Sequence, residues 1–204
     1  MKECDTDRQV LQTFLERFQT SIGDPAPDMR LIVDVARVLR PRAGDVLFSA
    51  GDLLEDLYFV VSGLVRYYYL TPHGREFNKN FVSSGGVVTC LSSFLAEKPS
   101  PFFTEALEDT VLVSVPMETV RRLKADDILW ERVFNGFITR LALRKEQREA
   151  SFLLEDAAGR YEAFLREYSQ VALRLPQYHI ASYLGITPVA LSRIRARRAK
   201  RSAS

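Results

Sequence analysis

The spacing of apolar residues changes twice along the chain, and this restricts the fold more than any other feature. From Pro41 to Pro116 apolar and polar residues alternate, and turn-forming residues recur about every ten positions. Before and after this segment the apolar residues recur at helical spacing. The sequence therefore predicts an antiparallel β-sandwich or barrel between helical segments, which is the α+β class.

Local signals refine this outline. Two short helices are expected in the first forty residues, with Leu31, Val38 and Leu39 among the apolar positions of the second. In the strand region the clearest hairpin joins residues 64–70 to residues 75–81 through a Pro-His-Gly turn. The strand pattern ends at Pro116, and helices are expected from there to the C-terminus.

A long helix is predicted from about residue 126 to residue 154, because its apolar positions follow an a/d-like order. The aromatic stripe on such a helix needs a partner that covers it. We favour a homodimer interface formed by Trp130, Phe134, Phe137, Ile138, Leu141 and Lys145. The alternative is packing onto the protein's own barrel, and one helix can serve both purposes on different faces.

A further helix is expected from Arg160 to about residue 172, after a hinge at Gly159, and residues 175–195 then carry the pattern of a helix-turn-helix. Ala181 is the small residue that two steeply crossing helices need where they touch. Gly185 can adopt the left-handed backbone conformation of a tight turn. Thr187 can cap the second helix, which Pro188 can begin because no amide donor is needed there.

The second helix of this pair is expected to lie in the major groove of DNA. Arg193 is the best candidate for direct readout, because a guanidinium donates two hydrogen bonds to guanine. From residue 187 to residue 204 there are six basic residues and no acidic ones, which favours contact with phosphates. The predicted DNA-binding residues are Gln177, Tyr178, Thr187, Pro188, Val189, Ser192, Arg193, Arg195, Arg197, Arg198 and Lys200. Arg201 is a further candidate for phosphate contact.

Several other classes of protein do not fit the sequence. No run of apolar residues reaches the length of a membrane span, and residues 1–10 lack the order of a signal peptide, so we expect a cytoplasmic protein. Cys4 and Cys90 are expected to be free thiols without metal-ligand spacing. Because there is no glycine-rich phosphate loop and no nucleophile elbow, we expect neither an enzyme nor a bound cofactor.

Four segments together resemble the family of the cyclic AMP receptor protein and FNR, the Crp/Fnr regulators. They are residues 44–52, 57–66, 104–109 and 180–195. The resemblance implies a cyclic-nucleotide-binding-type β-roll, a double-stranded β-helix like that of cupins, in residues 1–125. It also implies a dimerisation helix and hinge in residues 126–156 and a DNA-binding domain in residues 157–204. The implied partners are a second copy of the chain, double-stranded DNA, a small-molecule effector and RNA polymerase.

The chain departs from the family at the nucleotide site. Members that bind cyclic AMP carry a Gly-Glu pair and an Arg-Ser pair, where this sequence has Thr89-Cys90 and Ser100-Pro101. A buried phosphate without a cationic partner is costly, so we expect no cyclic AMP binding in the family's manner. A less polar effector could contact Arg66, Thr89, Cys90, Leu91, Ser92, Phe102 and Phe103. Plain core packing, with no ligand at all, explains these residues equally well.

Two other features of the family are also in question. Two cysteines cannot hold an iron–sulfur cluster, and His73 and His179 are expected to be surface histidines rather than haem ligands. About ten residues, all small or basic, follow Ile194, which is too few for the family's two-stranded wing. An alternative function is a ligand-binding regulatory module that acts through protein partners, with a vestigial helix-turn-helix.

Overall fold

The computed structural model describes the backbone of residues 2–202 and the side chains of residues 6–200. Its elements in chain order are α1 (Lys2–Ile22), α2 (Arg30–Val35), β1 (Arg37–Leu39), β2 (Val46–Phe48), β3 (Asp56–Ser62), β4 (Leu64–Leu70), β5 (Glu76–Ser83), β6 (Val87–Val88), α3 (Leu91–Ala96), β7 (Phe103–Ala106), β8 (Val111–Pro116), α4 (Met117–Asp126), α5 (Ile128–Leu154), α6 (Ala157–Glu167), α7 (Gln177–Leu184) and α8 (Pro188–Ser202).

The eight strands form two four-stranded sheets, in the orders β1-β8-β3-β6 and β2-β7-β4-β5. Strand β8 pairs antiparallel with both β1 and β3, and β2 pairs antiparallel with β7. The two sheets with their flanking helices confirm the predicted α+β class and are consistent with a β-roll. Strand β8 ends at Pro116 and α4 begins at Met117, as the change in apolar spacing predicts.

The chain divides into two compact units. The first contains residues 1–67 and 81–138, and the second contains residues 68–80 and 139–204. The units differ in two respects from the three predicted segments. Helix α5 contributes to both units, and the tip of the β4–β5 hairpin is grouped with the C-terminal helices rather than with the β-roll.

In the first unit, two apolar clusters form the core, one between the strands and one between a sheet and the helices. One contains Phe48, Tyr67 and Phe102, whose rings contact one another at centroid distances of 5.2–6.3 Å. The other contains Phe14 of α1 and Phe59 of β3, whose rings meet edge to face at 4.9 Å. Burial of aromatic rings on this scale stabilises a core without disulfides or metals.

Three local predictions were wrong. Val38 and Leu39 belong to strand β1 rather than to a helix, because helix α2 already ends at Val35. A helix, α3, interrupts the region where only strands were expected. Helix α6 begins at Ala157, where the Asp156 side chain accepts a hydrogen bond from Gly159, so Gly159 lies in the first helical turn and not in a hinge.

Candidate nucleic-acid interface

Helices α7 and α8 form the predicted helix-turn-helix. Gly185 ends α7 in the left-handed conformation, with φ of 71°. Ala181 is fully buried, and its carbonyl accepts a hydrogen bond from the amide of Ile186 at 3.0 Å. The Thr187 hydroxyl accepts from the amide of Ala190 at 3.2 Å and so caps α8. The residues predicted for the tight turn therefore occupy the positions expected of them.

Burial divides α8 into an inner and an outer side. Leu191 is fully buried, and Ile194 is partly buried on the same side. All eleven predicted DNA-binding residues are exposed. Val189, at the start of α8, is 62% exposed although it is apolar. The outer side of α8 is therefore accessible, as a helix that enters a DNA groove requires, and the role of each residue stays a prediction.

The exposed side of α8 is cationic. Its described side chains include Arg193, Arg195 and Arg197, all exposed, while the side chain of Arg201 lies outside the described residues. One cation is held within the unit, because the Arg198 guanidinium donates to the Glu162 carboxylate of α6 at 2.7 Å. These cations follow the first turn of α8, and such a cluster suits a polyanion.

The first compact unit contains a buried ion pair. The Arg66 guanidinium donates to Oε2 of Glu105 at 2.9 and 2.5 Å, and Arg66 is 5% exposed. Glu105 therefore neutralises the cation of the predicted effector pocket. Close by in sequence, Tyr67 accepts from the amide of Thr89 at 2.9 Å and donates to its carbonyl at 3.3 Å. Burial raises the pKa of the Tyr67 hydroxyl well above its usual range.

Comparison with known proteins agrees with this architecture. Residues 39–127 match the cyclic nucleotide-binding domain family. The fumarate and nitrate reduction regulatory protein of Escherichia coli K12 is 29% identical over 168 residues, which cover 74% of this chain and 64% of that protein. The same relative of Klebsiella oxytoca is equally similar. The chain therefore spans somewhat less than two thirds of the length of these relatives.

Solved structures share the fold. FixK2 from Bradyrhizobium japonicum superposes with a TM-score of 0.74 at 22% identity, covering 82% of this chain and 86% of that one. A CooA mutant from Carboxydothermus hydrogenoformans gives a TM-score of 0.68 at 18% identity, with coverage of 88% and 86%. These matches confirm the resemblance to Crp/Fnr regulators seen in the sequence, and the solved structures show that the fold is shared.

Within the β-roll, Thr89 and Ser100 stand at the two positions where the resemblance implied a difference from members that bind cyclic AMP. The hydroxyl of Ser100 is buried and donates to the carbonyl of Phe102 at 2.8 Å. The hydroxyl of Thr89 is also buried and has no hydrogen-bond partner in the described part of the chain. Neither residue can neutralise a phosphate.

The other predicted pocket residues show mixed burial. Cys90 is fully buried and Phe102 is 6% exposed, and both belong to the core cluster of the β-roll. Leu91, Ser92 and Phe103 are partly buried. For Cys90 and Phe102 the core-packing alternative describes what is seen, and effector binding by the set stays a prediction.

Cys90 is the free thiol whose side chain the structure describes, since the side chain of Cys4 lies outside the described residues. Burial raises the pKa of the Cys90 thiol, but hydrogen bonds from Ser92, Ser93 and Ser100 together outweigh burial. The pKa therefore lies below that of a free cysteine. Full burial nevertheless restricts the access of reagents to this sulfur.

The predicted dimer residues of α5 do not all face outward. Trp130 is 5% exposed; its ring lies 5.7 Å from that of Phe18, and its Nε1 donates to the carbonyl of Asp28. Phe134 stacks on Phe94 at 4.8 Å. Trp130 must therefore be removed from the predicted interface, because its own protomer already covers it. Phe134 also packs on its own protomer, as the alternative interpretation held for this stripe.

The remaining residues of that set have different surroundings. Phe137, Ile138 and Leu141 are partly buried, and Lys145 is exposed. The predicted set does not include several exposed apolar residues of α5, among them Leu143, Leu153 and Leu154, at 52%, 76% and 84%. Their spacing along the helix was the available signal, but the aromatic stripe was the stronger one.

His179 was expected at the surface, and this was wrong. It is 4% exposed and hydrogen-bonded to Asn78 of β5, which is 3% exposed. The pairing partner lies 101 positions earlier in the chain, so no local pattern could reveal it. His73 is exposed in the β4–β5 turn, as expected.

Three further observations concern the predicted absences. Helix α8 runs from Pro188 to Ser202, the last residue whose backbone the structure describes. Among the described side chains, no three His, Cys, Asp or Glu residues are placed to hold one metal ion. No helix in the described part of the chain is long and apolar enough to cross a membrane.

Proposed function

We propose that this protein is a DNA-binding transcriptional regulator that acts in the cytoplasm as a homodimer. The helix-turn-helix carries the proposal. Its second helix buries Leu191 and leaves Val189, Ser192 and Arg193 exposed at the end that would meet base edges. The cationic residues that follow would hold the phosphate backbone.

Arg193 has the central role in this proposal. A guanidinium that donates two hydrogen bonds to guanine supplies about 1–3 kcal/mol of discrimination against other bases. Arg195, Arg197 and Lys200 would bind phosphates, which give affinity without sequence information. Gln177 and Tyr178, exposed at the start of α7, would contact the backbone beside the groove.

Dimerisation through α5 is part of the proposal. Leu143, Leu153 and Leu154 are exposed apolar residues on a 27-residue helix, and burial against a second copy would remove them from water. Phe137, Ile138, Leu141 and Lys145 would complete the interface. Two recognition helices about 34 Å apart could then occupy successive major grooves.

The β-roll would bind the effector, and the lack of a cation at Ser100 supports a ligand other than cyclic AMP. Because Glu105 already pairs with Arg66, an anionic ligand would have to displace this carboxylate. An uncharged or weakly polar molecule avoids that cost. RNA polymerase is the further partner that we propose for the DNA-bound dimer.

Selection of bound fragments from genomic DNA tests the proposal, because it yields the operator without assuming it. We expect a partly palindromic site bound far more tightly than random duplex. Arg193→Ala should weaken binding to this site by about 5- to 150-fold and relax the base preference at one position. Arg122→Ala, which removes an exposed arginine of α4, is the control and should leave affinity unchanged.

Salt dependence separates phosphate contacts from base contacts. Arg195→Ala, Arg197→Ala and Lys200→Ala should each lower the slope of log affinity against log salt by about 0.9. Arg193→Ala should change the slope much less if its main contact is a base. A chain that prefers no duplex over heparin at moderate ionic strength would favour action through protein partners instead.

A further inference from the structure

We infer that Asn78 and His179 are positioning residues for DNA recognition, which hold α7 in place only while the imidazole of His179 is uncharged. The inference rests on the proposed DNA-binding function. It concerns the second compact unit, in which the tip of the β4–β5 hairpin packs against the first helix of the helix-turn-helix.

The contacts form a small polar cluster, which we call the hairpin clasp and define as Asn78, His179 and Ser182. Nδ2 of Asn78 lies 3.0 Å from the carbonyl oxygen of His179 and 3.0 Å from its Nδ1. The backbone amide of Asn78 donates to the Ser182 hydroxyl at 2.9 Å, and this hydroxyl donates to the carbonyl of Glu76 at 3.2 Å. The hairpin thus contacts α7 one turn apart, at two positions.

These contacts fix the protonation of His179. A backbone carbonyl can only accept, so the group that Asn78 places against it must be the amide NH₂. The same NH₂ faces Nδ1 of His179, which must therefore be an unprotonated acceptor. His179 is accordingly neutral, with its proton on Nε2. A second proton on Nδ1 would place two donors 3.0 Å apart.

Burial makes a second proton on His179 energetically costly. Asn78 and His179 are 3% and 4% exposed, so water cannot take over the lost hydrogen bonds. The Arg148 guanidinium of α5 already lies at the clasp, 3.4 Å from the carbonyl of Asn78 and 3.2 Å from that of Tyr183. A positive imidazole would add a second cation to this buried region.

Other ionisable groups lie on the elements packed around the clasp. They are Glu76 and Lys79 on β5, Arg148 on α5, Glu167 and Tyr168 on the α6 side, and Tyr178 and Tyr183 on α7. Burial raises the pKa of Tyr168 and of Tyr183 above that of free tyrosine, so both stay uncharged where histidine exchanges protons, about pH 5–8. Glu167 is already engaged with Arg144. Within the hairpin clasp, His179 is therefore the residue whose charge can change in this pH range.

The clasp acts on DNA recognition through α7. Helices α7 and α8 are joined by residues 185–187, and the amide of Ile186 donates to the carbonyl of buried Ala181. A shift of α7 must therefore move the recognition helix with it. When the clasp opens, α8 loses its fixed orientation. Ordering α8 again on DNA costs entropy, which lowers the affinity.

DNA affinity measured by fluorescence anisotropy at about pH 5.5 and about pH 8, at constant ionic strength, tests this inference. We expect the unaltered chain to bind its selected operator about tenfold more weakly at the lower pH, the size of one lost hydrogen bond. His179→Asn places an amide oxygen near the position of Nδ1 and cannot titrate, so its affinity should not depend on pH.

The chain has two histidines, and the other one supplies the matched control. His73→Asn should keep the full pH dependence, since His73 is exposed in the hairpin turn. Asn78→Ala should bind about tenfold more weakly at both pH values, and circular dichroism should show that its helices are intact. Equal pH dependence in the unaltered chain and His179→Asn would overturn the inference.

A second measurement does not depend on DNA. Imidazole ¹⁵N NMR at neutral pH should show His179 with its proton on Nε2 and none on Nδ1. A proton on Nδ1 would overturn the inference even if DNA affinity varied with pH. If no duplex is bound at any pH, the proposed function fails, whereas the NMR spectrum still reports separately whether the clasp exists.

Discussion

Nε of Arg198 lies 2.7 Å from Oε1 of Glu162, so one cation of α8 is paired with a carboxylate of α6. Both side chains are about half exposed, at 51% and 44%. A phosphate that approaches Arg198 must therefore compete with Glu162 for the same guanidinium.

Glu162→Gln should raise DNA affinity by about two- to fivefold at low salt, because an exposed ion pair is weak and its loss releases Arg198 for phosphate. Glu146→Gln, which removes an exposed glutamate of α5, is the control for the change in net charge. The gain should shrink as salt is added. An equal gain in both variants would show that only net charge matters.

Gly185→Ala should lower the free energy of unfolding by about 1–2 kcal/mol from backbone strain, since φ is 71° at this position. A Cβ here would also lie 3.2 Å from Cε1 of Phe152. Gly74→Ala has a similar φ of 75° but meets no atom within 4 Å, so it measures strain alone. Urea unfolding should show the larger loss for Gly185→Ala, and equal losses would mean that the Phe152 ring moves freely.

Cyclic AMP should not stabilise the protein. A ligand present at about 100 times its Kd raises the free energy of unfolding by about 2.7 kcal/mol, which thermal melting detects. Ser100 and Thr89 offer no positive charge to the cyclic phosphate. We therefore expect no change in Tm at about 1 mM cyclic AMP, which corresponds to 100 times a Kd of about 10 μM. A rise of several degrees would contradict this prediction.

Stability should fall at alkaline pH through Tyr168. Burial, followed by the nearby Tyr183 and Glu167, raises the pKa of Tyr168 well above that of free tyrosine. Above about pH 10 the unfolded chain releases this proton while the folded chain retains it, so stability is present below about pH 10 and is lost as the pH rises. Tyr168→Phe should reduce the slope of stability against pH above about 10.

Tyr168→Phe should also lower stability at neutral pH by about 1 kcal/mol, because the hydroxyl donates to Oδ1 of Asn80 at 2.6 Å. Tyr178→Phe, at a tyrosine that is 59% exposed, is the control and should change neither quantity. Urea unfolding at several pH values measures both. A slope that Tyr168→Phe leaves unchanged would assign the alkaline loss to other groups.

Local patterns predicted much of the molecule. The turn residues Gly185, Thr187 and Pro188 predicted the helix-turn-helix, because the backbone preference or capping contact of each involves residues only a few positions away. Alternating apolar residues identified the β-roll strands, since one face of each strand must be buried. The exposure of the predicted DNA-binding residues on α8 followed from the helical spacing of the apolar residues on its opposite side.

Burial of individual side chains depended on distant partners. The aromatic stripe of α5 could serve a second copy or the same chain, and only the fold showed that Trp130 lies against Phe18, more than a hundred positions away. For Cys90 the sequence left ligand contact and core packing open, and only the fold showed that its side chain is fully buried in the core cluster. Periodicity predicts that a residue is buried, but it does not predict which residues pack against it.

By itself the sequence determined the fold class and the helix-turn-helix, because these depend on hydrophobic spacing and on backbone preferences that act locally; the DNA-binding surface stays its prediction. Only the tertiary structure decided that His179 is buried against Asn78 and that Glu105 neutralises Arg66. Polar side chains that meet across long sequence separations leave no periodic signal. Their pairing is fixed by packing, which excludes water and so requires each donor to find an acceptor.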